Sequence, residues 1–100
     1  MNSRTTQDDW PFADPKDVAV FTTTQVLRLR QPILHVSHDD EDGAWQFHAG
    51  SVQVSTSDMM VVALEEMVAH DPTITELADL PCGWIAERDG MGSPWRRVQR

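Results

Sequence analysis

Apolar and polar residues alternate on both sides of an acidic run at 39–42, and this alternation is the clearest structural signal in the chain. Before the run, Leu34 and Val36 share one face of an extended segment, while Ile33 and His35 share the other. After it, Trp45 and Phe47 share a face and Gln46 and His48 point away. Asp42 and Gly43 are residues that tolerate positive φ, as tight hairpin turns require. The pattern predicts two antiparallel strands within 32–48, joined by an acidic tip, with one apolar face against the core. Pro32 opens the hairpin, where a missing N–H costs least.

The same reading extends along the chain. Residues 18–22 are apolar and β-branched and predict a strand. The threonines that follow can cap a short helix near 24–28, or the strand can run on and bend at Thr23; the short helix is preferred. Residues 59–70 also admit two readings, one helix or a strand over 59–63 running into a helix over 64–70. Val61 and Val62 form strands better than helices, and Leu64, Met67 and Val68 fit one helical face, so strand-then-helix is preferred. Asp71 and Pro72 end that helix and start another, because proline is comfortable in a first turn. Thr73 and Glu76 have capping-box spacing there, and Ile74, Leu77 and Ala78 form its inward face. Residues 80–83 form a turn, 84–88 a last strand, and the chain beyond Gly92 trails out.

These elements predict an α+β fold: a small antiparallel sheet with two or three short helices packed on one face. One hundred residues suffice for one domain with a modest core. Three stretches are expected: a flexible acidic arm at 1–16, a single α+β domain at 17–90 and a basic tail at 91–100. Trp10 and Phe12 are candidates to tack the arm onto the domain.

Charge changes the picture more than composition does. Sixteen acidic residues against eight basic ones give a formal charge of −8. That balance argues against nucleic acid, whose phosphates need Lys and Arg, and against anionic membranes. It suits a basic protein partner or a cation. The first residues hold no apolar run, so no signal peptide is expected, and no stretch approaches the length of a membrane span. The single cysteine, Cys82, cannot form an internal disulfide and fits a reducing compartment. A cytoplasmic location is the expectation.

Candidate chemistry is sparse. His35, His38 and His48 lie near Asp39, Asp40, Glu41 and Asp42, and such groups can hold a divalent ion. His35 and His38, three apart in a strand, face opposite sides, and an EF-hand register fails. With Gly43 at the invariant glycine, its first ligand position falls on His38 and its closing Glu position on Ala49. No metal site and no cofactor are predicted. Cys82 sits between Pro81 and Gly83, so a histidine partner for nucleophilic catalysis would have to come from elsewhere in the fold. Packing is the expected role of Cys82. No glycine-rich phosphate loop is present. Trp45, Phe47 and Trp84 are expected in the core; Trp95 can stack on the domain or stand exposed as a contact residue, and stacking is preferred.

Several short elements then line up: Gly43-x-Trp45-x-Phe47, Ala63 with Leu64, Asp71-Pro72-x-Ile74 with Leu77, Leu80-Pro81-x-Gly83, and Glu87 with Arg88. Over about 18–88 the chain resembles small bacterial proteins first catalogued as a domain of unknown function and later grouped with immunity proteins of polymorphic toxin systems. It departs from that pattern at His35 and His38, at the short Ser/Gln/Thr segment 51–56 and at the Trp95-Arg96-Arg97 tail. The resemblance implies an α+β fold and toxin neutralisation, with no catalytic residues. The expected function is therefore non-catalytic binding of a basic toxin or other protein. Asp39, Asp40, Glu41 and Asp42 would supply the charge, and Trp45 would contribute where its face is open. The alternative is a metal- or small-molecule-binding protein using the His/Asp cluster of 35–48. Nothing in the sequence sets an oligomeric state.

Overall fold

The computed structural model describes residues 10–50 and 55–100. The expected hairpin is present: β2 (His35–His38) and β3 (Trp45–His48) pair antiparallel, with Val36 opposite Phe47 and His38 opposite Trp45. Gly43 turns the tip at φ +73°, where a residue without Cβ pays no steric cost. Val36, Trp45 and Phe47 are buried, as alternation requires. Leu34 lies just before the strand and is half-buried, while its neighbour Ile33 enters the core instead.

β1 (Ala19–Thr23) leads directly into the short helix α1 (Thr24–Leu27), and the Thr23 hydroxyl accepts the Val26 N–H. The preferred reading of the threonines therefore holds, with Thr23 as the cap. β4 (Met59–Ala63) likewise runs straight into α2 (Leu64–His70). No hydroxyl caps α2. Its Leu64 and Glu65 N–H groups donate to the carbonyls of Val18 and Lys16, and the Glu66 carboxylate takes the Ala63 N–H. β1 and β4 are antiparallel neighbours, so the chain entering β1 lies beside the start of α2. Asp71 then caps a 3-10 helix (Pro72–Leu77) by accepting the Thr73 N–H, a role the sequence pattern assigned to Thr73 and Glu76. Ile74 and Leu77 are buried.

β5 (Trp84–Glu87) pairs with β2, and β6 (Arg96–Gln99) pairs with β5. The sheet order is β4-β1-β3-β2-β5-β6. Two expectations about it are corrected. The sheet is mixed and larger than expected: β1 and β3 run parallel, with Phe21 opposite Gln46. After α1 the chain lays β2 one strand away from β1, and the hairpin return fills the gap in the direction of β1. The segment expected to trail out beyond Gly92 instead supplies the sixth strand. Every residue of β6 is exposed, so no apolar alternation marks it. Its backbone ladder holds it, together with ion pairs of Arg96 with Asp89 and Arg97 with Asp79.

The strand registers place Val20, Thr22, Phe47, Val36 and Ala86 on one face of the sheet. They form the core with Val26, Leu64, Met67, Ile74, Leu77 and Leu80 from the helices and the turn after them. Thr22 is fully buried and satisfies its hydroxyl by donating to the Phe47 carbonyl at 2.9 Å. At one edge of this core lies a buried ion pair. Arg88 donates to Asp71 at 2.9 Å, to the Ile33 carbonyl at 2.9 Å and to the Thr73 hydroxyl at 3.0 Å, under the Trp95 ring. That pair ties the end of β5 to the junction of α2 with the 3-10 helix.

Candidate functional site

The hairpin tip is a braced turn. The Asp39 N–H donates to the Ala44 carbonyl at 2.7 Å, and the Gly43 N–H donates to the Asp39 carbonyl at 2.9 Å. The Asp42 carboxylate accepts the Ala44 N–H at 3.0 Å, which ties its side chain to its own turn. The tip leans on the turn that precedes β5, where the Asp40 Cβ would lie 3.6 Å from a Cβ on Gly83. The backbone of the tip and the Asp42 side chain are therefore held in place.

The expected contact residues separate into two groups. Asp40, Glu41 and Asp42 are exposed, and among the described residues no ion pair engages them. Asp39 and Trp45 are instead engaged by the domain, on opposite faces of the sheet. Asp39 accepts the Gln46 amide at 2.8 Å and lies 3.6 Å from the Arg100 guanidinium, leaving its side chain 20% exposed. Trp45 is 2% exposed. Its ring stacks on His38 at 3.9 Å and 14° and meets Phe12 edge-on at 5.5 Å, and its indole N–H donates to Asp14 at 2.8 Å. Its face is closed, so it holds the end of the hairpin and does not offer a contact surface. Phe12 is buried here, which places residues 10–14 of the expected arm against the domain; residues 1–9 lie outside the described residues.

The histidines divide as their spacing predicts. His38 lies on the core face beside Trp45. His35 and His48 lie opposite each other on the other face, with ring centroids 6.1 Å apart. His35 pairs with Glu87 at 3.0 Å. His48 donates to Gln46, which donates on to Asp39, so a polar chain crosses the open face of the sheet. Burial, and then the nearby His35, lower the pKa of His48 from 6.5, while Asp39 opposes the shift. Among the described residues no group of three or more His, Cys, Asp or Glu side chains is arranged to hold a metal ion.

One juxtaposition was not legible in the sequence. The pairing of β2 with β5 brings the turn 80–83 against His38, so that Cys82 Sγ lies 3.5 Å from His38 Nε2. His38 Nδ1 lies 2.7 Å from the Leu80 carbonyl, and a carbonyl only accepts, so Nδ1 carries a proton. A cavity of about 400 Å³ opens beside this pair, lined by Asp14, Val18, Ala19, Asp42, Gly43, Ala44 and Trp45 along with His38 and Cys82. The missing signal was strand adjacency, since forty-odd residues of sequence separate the two side chains.

No known protein family, curated protein or solved structure matches the chain significantly. The resemblance to immunity proteins therefore rests on its short motifs alone. Among the described residues, no helix is long and apolar enough to cross a membrane.

Proposed function

We propose that this is a non-catalytic bacterial binding protein of the immunity type, which docks a basic toxin or other basic protein in the cytoplasm through its hairpin tip. The supporting observation is the presentation of Asp40, Glu41 and Asp42. Three consecutive carboxylates stand exposed and free of ion pairs among the described residues, on a turn held by backbone hydrogen bonds and by the Asp42 side chain. Charge displayed on a rigid turn costs little ordering entropy on binding. It also raises the encounter rate with a positive surface. Asp39 and Trp45 contribute from behind, by fixing the turn.

Parallel capture experiments test this, using the wild-type chain and an Asp40→Asn/Glu41→Gln variant as baits. A basic protein retained by the wild type and lost from the variant supports the reading. A partner retained equally by both places docking on another surface, and the Trp95, Arg96 and Arg97 region is the next to examine.

A further inference from the structure

We propose that Cys82 is a thiol-exchange site, activated by His38, that takes small positively charged disulfides and becomes covalently modified by them. This goes beyond the docking reading and stands without it, since it concerns modification and not partner binding.

The site is built from separate elements. The turn before β5 supplies Cys82, which is exposed. β2 supplies His38, whose Nδ1–H is committed to the Leu80 carbonyl. In the neutral ring Nε2 therefore presents its lone pair, and it faces the Cys82 sulfur at 3.5 Å. β3 supplies Trp45, which fixes the plane of the imidazole by stacking and is itself tied to Asp14. A nucleophile, a base and two groups that orient the base thus stand in line. The cavity beside them has apolar walls at Val18, Ala19 and Ala44 and carboxylates at Asp14 and Asp42. Among the described residues, His38 is the one basic side chain in that lining. Such a wall favours an ammonium-bearing ligand and repels an anionic one.

Thiol–disulfide exchange needs only these groups and the disulfide itself. The Cys82 S–H proton passes to His38 Nε2, and the thiolate attacks the nearer sulfur of the incoming disulfide. A bond forms from Cys82 to that sulfur as the original S–S bond breaks. The other half leaves as a thiolate, which takes the proton from His38. The products are a mixed disulfide on Cys82 and one small thiol.

The test compares cystamine, which carries ammonium groups, with neutral bis(2-hydroxyethyl) disulfide and anionic glutathione disulfide. Mass spectrometry follows mixed-disulfide formation on the full chain. Each rate is divided by that of the same disulfide with the cysteine of a short neutral peptide. The proposal predicts a normalised rate for cystamine about tenfold or more above that for glutathione disulfide at low salt. The gap should narrow as salt rises. Asp14→Asn/Asp42→Asn, which keeps acceptor oxygens and removes both charges, should close most of it. His38→Gln should slow the cystamine reaction about tenfold or more at neutral pH. Should that variant fail to fold, the wild-type protein decides, since Cys82 must outpace the peptide thiol toward cystamine. Equal normalised rates for the three disulfides, or a folded His38→Gln protein as reactive as the wild type, would overturn the proposal.

Discussion

Replacing Trp45 probes the joint between core and tip. The side chain is 2% exposed and contacts His38, Phe12, Phe47 and Asp14. Trp45→Ala removes nearly all of that buried area and leaves a cavity, a change that costs about 3–5 kcal/mol for a large aromatic. The stranded Asp14 carboxylate adds little, because Asp14 is half-exposed and can be rehydrated. Trp45→Phe keeps the stacking on His38 and most of the packing but loses the indole N–H to a carboxylate, a loss of about 1–2 kcal/mol. The assay is urea unfolding followed by circular dichroism. A slope of about 1–3 kcal/mol per molar, usual for small proteins, turns the alanine loss into a midpoint lower by more than about 1 M. A domain of ordinary stability, about 5–15 kcal/mol, then retains only part of its margin. A Trp45→Ala midpoint equal to that of the wild type would refute the buried, stacked placement of this ring.

Three further outcomes are expected. Asp71→Asn should cost about 3–5 kcal/mol, because it strands a buried guanidinium. The double variant with Arg88→Met should recover part of that loss, and additive losses in a double-mutant cycle would show that the two side chains do not interact. His48 has a folded pKa below its unfolded value of 6.5, so the unfolded chain binds more protons between the two. Its contribution is therefore intact above about 6.5 and lost as the pH falls below it, and His48→Gln should flatten this part of a stability–pH profile; an unchanged slope would contradict the assigned burial. Gly43→Ala meets no atom within 4 Å but must hold φ at +73°, so it should cost about 1–2 kcal/mol in the same urea assay, and Gly43→Asn less.

Most local features of the fold were legible in short-range rules, the cap at Asp71 excepted. The hairpin followed from alternation around Asp42 and Gly43. The change from strand to helix at Ala63 and Leu64 followed from the shift out of β-branched residues. Long-range features were not. Period-two alternation says which face a residue takes but not which strand lies beside it, so the parallel pairing of β1 with β3 had no sequence signal. β6 carries one apolar residue, Val98, in an arginine-rich stretch, and its backbone ladder, its ion pairs and a hydrogen bond from Arg97 to the Glu76 carbonyl hold it. Within the site, the acidic run marked the tip directly. Which carboxylates stay free of ion pairs was a tertiary matter, because Gln46 and Arg100 hold Asp39 against the open face of the sheet. The approach of Cys82 to His38 depends on the pairing of β2 with β5, which the sequence leaves open.

The most direct test of the docking account is the rate of association with a captured partner at low and high salt, for the wild type and for Asp40→Asn/Glu41→Gln. Asp42 is kept because it caps its own turn. Exposed like charges at a turn contribute little to stability, so the two proteins should unfold alike. The account predicts that the wild type associates about tenfold or more faster than the variant at low salt, and that the difference shrinks as salt screens the tip. Equal association rates at low salt would contradict it and reduce the tip to a solvated turn.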